Sequence, residues 1–285
     1  HAENGKILNF LRSECVKKGQ LTPHYHYVSR PPFTEAEAVR RAIYLAGQTD
    51  TPLYIAHMTC REAIAELQKA KGTGQRVSGE TCTHYLTTTK EVLDNPDFNE
   101  AAKFVCSPAL RDREDCEALW QALSDGLLTA VSSDHCGIDV AELKQAGRND
   151  FTQIPNGSPG AGDRLHMVWT EGVCTGKLTR QKFVDVIATQ PAKINGIYPR
   201  KGTLAVGSDA DIVIFDPNYE GTVHLADNPN GVDYNLYEGR RQSGRVETVL
   251  LRGQVVVENA KFVGRYGQGK FIPANMYASG YENRN

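Results

Sequence analysis

The sequence predicts an α/β fold in which a parallel sheet, open or closed into a barrel, is followed by a small β-rich unit. Two observations carry this. Short apolar runs at 52–57, 76–81, 103–107 and 127–134 alternate with amphipathic helical stretches, the pattern of parallel strands joined by crossover helices. From Lys201 onward the helical periodicity gives way to strand-like runs and a tight-turn signal. A chain of 285 residues can bury one large core and still leave room for a second, smaller unit.

Taken in order, the first clear helix starts at Thr34, in capping-box spacing with Glu37 and with Val39, Ile43 and Ala46 on one face. The apolar run 52–57 follows at once and ends in His57. Thr59 is placed to cap a helix that carries Ile64 and Leu67 and stops at Gly72. The pattern then repeats through the strand candidates 76–81, 103–107 and 127–134. Between the last two, Cys116, Leu119, Trp120 and Leu123 fall at helical spacing. A helical stretch at 179–189 closes the α/β part. Beyond it, 210–215 reads as a strand, and 246–257 as a hairpin turning at Arg252-Gly253. The expected organisation is therefore 1–200 for the α/β part, 201–263 for the β-rich unit and 264–285 for a loop-like tail, with Gly267 and Gly269, that packs on another subunit.

Composition narrows the function classes. With 40% hydrophobic residues, 23% charged residues and a net charge of -2, nothing favours a nucleic-acid partner. Seven cysteines without C-x-x-C spacing suit reduced, buried thiols better than disulfides or a cysteine-zinc site. No apolar run approaches the ~18 residues of a membrane span, and no signal pattern opens the chain, so a cytoplasmic protein is expected. The chain starts at His1-Ala-Glu-Asn-Gly with no initiator Met. That start reads as the interior of a longer domain.

The polar residues His57, Glu80, Ser107 and Asp134 stand at or beyond the ends of the strand candidates, the edge where α/β folds bind ligands. His1, His57 and Asp134 are the candidates for metal chemistry, since a neutral imidazole is a good zinc ligand and a carboxylate can both bind metal and exchange a proton. Each has a second reading. A strand-end histidine also serves as a hydrogen-bonded structural residue, and Asp134 in Ser132-Ser-Asp-His135 has the form of a helix cap. Pro23-His24-Tyr25-His26 contains an H-x-H pattern, but no apolar strand precedes it to hold a site rigid. Those histidines are expected to line a loop.

A set of ordered segments then bears on the choice: His1-Ala-Glu-Asn-Gly, Ser29-Arg-Pro-Pro, the strand ending in His57, Gly79-Glu-Thr-Cys, Cys106-Ser-Pro-Ala-Leu-Arg111, Ser132-Ser-Asp-His135, Ile154-Pro-Asn-Gly157, Pro199-Arg-Lys-Gly-Thr203 and Val232-Asp-Tyr-Asn-Leu-Tyr-Glu-Gly239. In these, from His1 to Pro273, the chain resembles the D-hydantoinase and dihydropyrimidinase group of the amidohydrolase superfamily. The resemblance implies the C-terminal portion of a (β/α)8 TIM-type metal-dependent hydrolase barrel plus a small β-sandwich domain. It further implies two zinc ions bridged by a carboxylated lysine. His1 and His57 would bind the more buried ion. Asp134 would bind the other and carry the proton, and the backbone groups of Ser107 and Asn156 would hold the cyclic amide. The family's H-x-H pair and bridging lysine match no position here, and Lys6, Lys17 and Lys18 lie on the wrong side of His1. One departure falls in Pro159-Gly-Ala-Gly-Asp-Arg164, where the family has an acidic residue near Gly162.

The function implied is hydrolytic ring opening of hydantoins and dihydropyrimidines to N-carbamoyl amino acids, as in pyrimidine catabolism, by a homo-oligomer, dimer or tetramer. Three other readings stand beside it: a non-catalytic scaffold relative, an allantoinase-type enzyme, and an inactive fragment. Retained His1, His57 and Asp134 speak against the first. The Ile-Pro-Asn-Gly and Asp-Tyr-Asn-Leu-Tyr-Glu-Gly segments favour hydantoinases over the second.

Overall fold

The structure is a computed structural model that describes residues 1–275. It divides into two compact units, His1–Arg164 with Val223–Gly239, and Leu165–Thr222 with the segment from Arg240 onward. The division therefore falls at Leu165 and interleaves the chain, where the sequence suggested consecutive segments 1–200, 201–263 and 264–285.

The first unit holds a parallel sheet of β1 (Leu53–Ile55), β2 (Val77–Cys82) and β3 (Ala130–Ser132), in the order β1-β2-β3. Five of the six β2 residues are buried, as expected of a central parallel strand covered on both faces. Helices α1 (Gly5–Lys17), α2 (His24–Val28) and α3 (Pro32–Gln48) precede the sheet. Helix α4 (Arg61–Gly72) makes the first crossover, and α5 (Thr83–Thr87), α6 (Phe98–Ala102) and α7 (Arg113–Ser124) lie on the second. Cys116, Leu119, Trp120 and Leu123 all face inward from α7, so its periodicity is met.

Several local expectations change. The run 103–107 forms no strand, because α6 ends at Ala102 and the chain turns instead. Thr34 is not a cap: α3 begins two residues earlier, with proline in its first turn, where a missing N–H costs nothing. Thr59 does not cap α4 either, as its N–H and hydroxyl both go to the Glu35 carboxylate. The H-x-H segment is helical rather than a loop. Five of the seven cysteines are buried, but Cys136 is half-buried and Cys174 is exposed.

In the second unit, helical turns span 165–194, with α8 (Arg164–Val168), α9 (Arg180–Val184) and α10 (Gln190–Ile194). An antiparallel sheet follows, of β4 (Ile212–Thr222), β5 (Arg241–Leu251), β6 (Gln254–Glu258) and β7 (Lys261–Phe262) in sequential order. The β5–β6 turn is Arg252-Gly253, both residues at positive φ (50° and 79°), as a two-residue hairpin turn requires. Trp169 packs edge-on to Phe183 and Phe215 at 5.3 and 4.8 Å. Gly244 is needed beside them, since a Cβ there would stand 2.4 Å from the Phe215 ring. The expected tail carries no regular structure from Gly264 to Asn275, and the rest of it lies outside the described residues. Among the described residues no helix is long and apolar enough to cross a membrane.

Candidate active site

His57 lies two residues beyond β1 and Asp134 two residues beyond β3. Both have left-handed backbones, with φ of 35° and 45°, a conformation that non-glycine residues adopt only when their surroundings over-determine it. Among the described residues, the other four non-glycine residues with positive φ, Asp50, Arg252, Asn259 and Ala260, occupy turns between elements. No helix starts at Asp134, which removes the helix-cap reading.

The neighbours that hold His57 are specific. The Met58 N–H donates to the Glu80 carbonyl at 2.7 Å, and the Met58 side chain lies fully buried across Gly79, where a Cβ would approach its sulfur to 2.6 Å. The next residue, Thr59, donates to the buried Glu35 carboxylate through both N–H and hydroxyl. Arg111 completes this knot, donating to Glu35 (3.1 Å), to the Thr59 hydroxyl (2.9 Å) and to the Arg30 carbonyl. Burial pushes the Glu35 carboxyl up, while Arg111 and the Thr59 donors pull it back. Arg30 in turn pairs with Glu3 at 2.8 Å. A chain of buried charges thus runs from the His1 segment to the His57 turn. Sequence reading missed it, since Glu35 and Arg111 look like surface residues until their 1% and 4% exposures are known.

On the other side, the Cys136 N–H donates to the Ser158 carbonyl at 2.9 Å and the Gly160 N–H to His135 Nδ1 at 3.3 Å. These bonds tie the Asp134 turn to the 154–160 loop. The loop also meets Ser107, whose hydroxyl donates to Asn156 Oδ1 at 2.7 Å. Ser107 and Asn156 are thus brought together. Gly162, the point of departure from the family pattern, packs against Asn228 and Asn230. The acidic contact there comes from Asp163, buried and accepting from the amides of Asn228 (2.7 Å) and Asn235 (3.1 Å).

The His1 and His57 rings stand edge to face, 4.3 Å between centroids. Burial drives the His57 pKa down, opposed by the charge of nearby Asp134, a direction that favours the neutral form in which an imidazole binds metal. Its Nδ1 is buried and makes no hydrogen bond. A buried imidazole nitrogen without a partner is costly unless something else engages it. His84, which sequence reading did not single out, is buried nearby with a pKa lowered to about 3, mainly by burial and further by His57. Its signal was its place in α5, two residues beyond β2 and the Gly79-Glu-Thr-Cys motif. Glu80 lies within β2, not at its end, and accepts from the Tyr54 hydroxyl at 2.7 Å. The H-x-H histidines part company: His24 pairs with Asp94 at 2.6 Å, and His26 is buried against the Cys106 carbonyl at 2.7 Å.

These donors fit part of a metal site. His57 offers a free nitrogen and His1 a second imidazole, but among the described residues no group of three or more His, Cys, Asp or Glu side chains could hold a metal ion.

Comparison with known proteins gives the wider setting. The amidohydrolase family model matches residues 32–256. The D-hydantoinase of Ralstonia pickettii is 48% identical over 277 residues, 97% of this chain and 60% of that protein. The D-hydantoinase of Rhizobium radiobacter is 47% identical over the same length, with the same coverage of each chain. Among solved structures, the dihydropyrimidinase from Brevibacillus agri NCHU1002 superposes with a TM-score of 0.96 at 44% identity, covering 98% of this chain and 60% of that one. The chain spans about three fifths of the length of these relatives.

Proposed function

Because the chain belongs to the amidohydrolase family, with D-hydantoinases and a dihydropyrimidinase among its relatives, we propose that the whole protein opens hydantoins and dihydropyrimidines to N-carbamoyl amino acids. The observation that carries this is the pair His57 and Asp134, each in a left-handed turn just beyond the end of a parallel strand. On this reading the three-stranded parallel sheet is the C-terminal part of a closed (β/α)8 barrel, and β4–β7 belong to a β-sandwich domain. His1, His57 and Asp134 would hold zinc together with an H-x-H pair and a carboxylated lysine supplied from outside this chain. Bound zinc supplies a Lewis acid for the carbonyl oxygen and a water acidic enough to attack at neutral pH.

The chain's own residues do the rest. Backbone groups of Ser107 and Asn156 hold the cyclic amide, and the Ser107–Asn156 bond at 2.7 Å fixes one segment against the other. As water adds to the ring carbonyl carbon, the Asp134 carboxylate takes up its proton. It returns that proton to the ring nitrogen as the carbon–nitrogen bond breaks. The buried setting of the His57 imidazole disfavours its charged form. The protein acts as a homo-oligomer, dimer or tetramer, in the cytoplasm, where seven unpaired cysteines are at home.

The test is an assay of the full-length protein on hydantoin, dihydrouracil and allantoin. Turnover of the first two is expected; turnover of allantoin alone would sink the assignment.

A further inference from the structure

The chain after β3 carries a lysine that the reaction derived above does not use. Lys144 is 0% exposed, and a buried ammonium is costly unless its protons are met. They are met by main-chain carbonyls: Ala102 at 2.8 Å, Val105 at 3.3 Å and Gly157 at 2.8 Å. The ammonium also stands 5.9 Å from the centre of the Tyr234 ring. Among the described residues none of its partners is a carboxylate. Burial pushes its pKa down to about 8, with the nearby Cys106 and Cys136 thiols working in the other direction.

The placement of these acceptors is what matters. Ala102 and Val105 belong to the segment that presents Ser107, and Gly157 directly follows Asn156. The same two segments meet again where the Gly157 N–H donates to the Val105 carbonyl at 3.0 Å and where the Ser158 hydroxyl donates to the Lys103 carbonyl at 2.7 Å. An ammonium with three donors turns the carbonyls it engages toward itself, and so fixes the planes of the peptides on both sides. The directions of the adjoining backbone groups are then no longer free.

We propose that Lys144 is a positioning residue for substrate, clamping the Ser107 and Asn156 segments together so that their backbone groups meet the cyclic amide at a fixed separation. The inference rests on reading Ser107 and Asn156 as the positions that hold the amide. A lysine that only stabilised the fold would change how much enzyme is folded, and not how tightly the folded enzyme holds its substrate.

The experiment is steady-state kinetics of the full-length protein on dihydrouracil and hydantoin, with zinc content and thermal unfolding measured on each variant. Lys144→Met keeps most of the unbranched side chain, one atom shorter, and removes the charge and its three donors. It is expected to raise KM by about tenfold while kcat changes by less than about threefold, since binding common to ground and transition states appears in KM. Ser158→Ala, which loses one bond between the same segments and a single hydroxyl, is expected to raise KM by about threefold and decides the matter if the methionine variant does not fold. An unchanged KM in the folded variants, with only the yield of folded enzyme reduced, overturns the proposal. Failure of the wild-type protein to turn over either ring is a separate result, and it overturns the functional reading on which the proposal rests.

Discussion

At the scale of single residues, His57 and Asp134 hold left-handed backbones at a cost of about 1–3 kcal/mol each, and the bonds around them repay it. Met58, Thr59 and Glu35 lock the first turn, and the strand-like contact of His135 and Cys136 with Ser158 locks the second. Asn is among the residues that tolerate this conformation best, so Asp134→Asn should fold and melt as the wild-type protein does. An amide cannot shuttle a proton. The variant of the full-length enzyme should therefore lose about 10²- to 10⁴-fold in kcat, the usual contribution of a positioned acid–base group, while its circular-dichroism melt is unchanged; near-normal turnover would remove Asp134 from the mechanism. The types and strand-end places of His57 and Asp134 were legible in the sequence, because a change from apolar run to single polar residue marks the end of a parallel strand. Their backbone strain was not, nor was Lys144. A lysine in Ala141-Glu-Leu-Lys-Gln145 looks like any solvated surface residue, and only the convergence of carbonyls from segments 39 to 42 residues upstream and 13 downstream gives it another meaning.

At the scale of elements, α4, α7 and the β5–β6 hairpin were readable because each is decided by its own sequence: helical periodicity in the first two, a two-residue turn in the third. Elements decided by distant partners were not. The apolar run 103–107 has strand composition, yet no neighbouring strand receives it, and its carbonyls go instead to Lys144 and the Ser158 hydroxyl. Thr34 and Thr59 both fit helix caps, and in each case a stronger partner wins: the prolines that open α3, and the Glu35 carboxylate. That carboxylate joins α3 to the turn after β1 through a pair with Arg111 that is almost wholly out of water, at 2% and 4% side-chain exposure. Removing one member strands the other charge. Glu35→Gln should destabilise the fold by about 3–5 kcal/mol, and pairing it with Arg111→Met should recover part of that loss. Urea unfolding of the two single variants and the double variant measures the coupling; additive losses would show that the pair does not act as a unit.

At the scale of the whole molecule, the question is what this stretch of chain can do by itself. It spans about three fifths of the length of its relatives, and its parallel sheet of three strands leaves β1 and β3 as edges, where a closed barrel has none. His1, His57 and Asp134 offer three ligand side chains. A catalytic zinc takes about three protein ligands and keeps a position for water, so two ions sharing these residues are under-coordinated. Two dications about 3.5–4 Å apart also repel each other, and the carboxylated lysine that would offset this has no counterpart among the positions here. The local geometry agrees in one respect: the His1 and His57 rings are adjacent, but no group of three or more metal-binding side chains is assembled among the described residues. A ligand pair without rigid support on its open side is poorly preorganised even for a single ion. The expected outcome is that the purified 285-residue chain binds no two-zinc centre and does not turn over hydantoin. Metal analysis after desalting, run beside the hydantoin assay, measures both at once; two tightly held zinc ions per chain with measurable turnover would mean that this stretch assembles a complete site from its own residues.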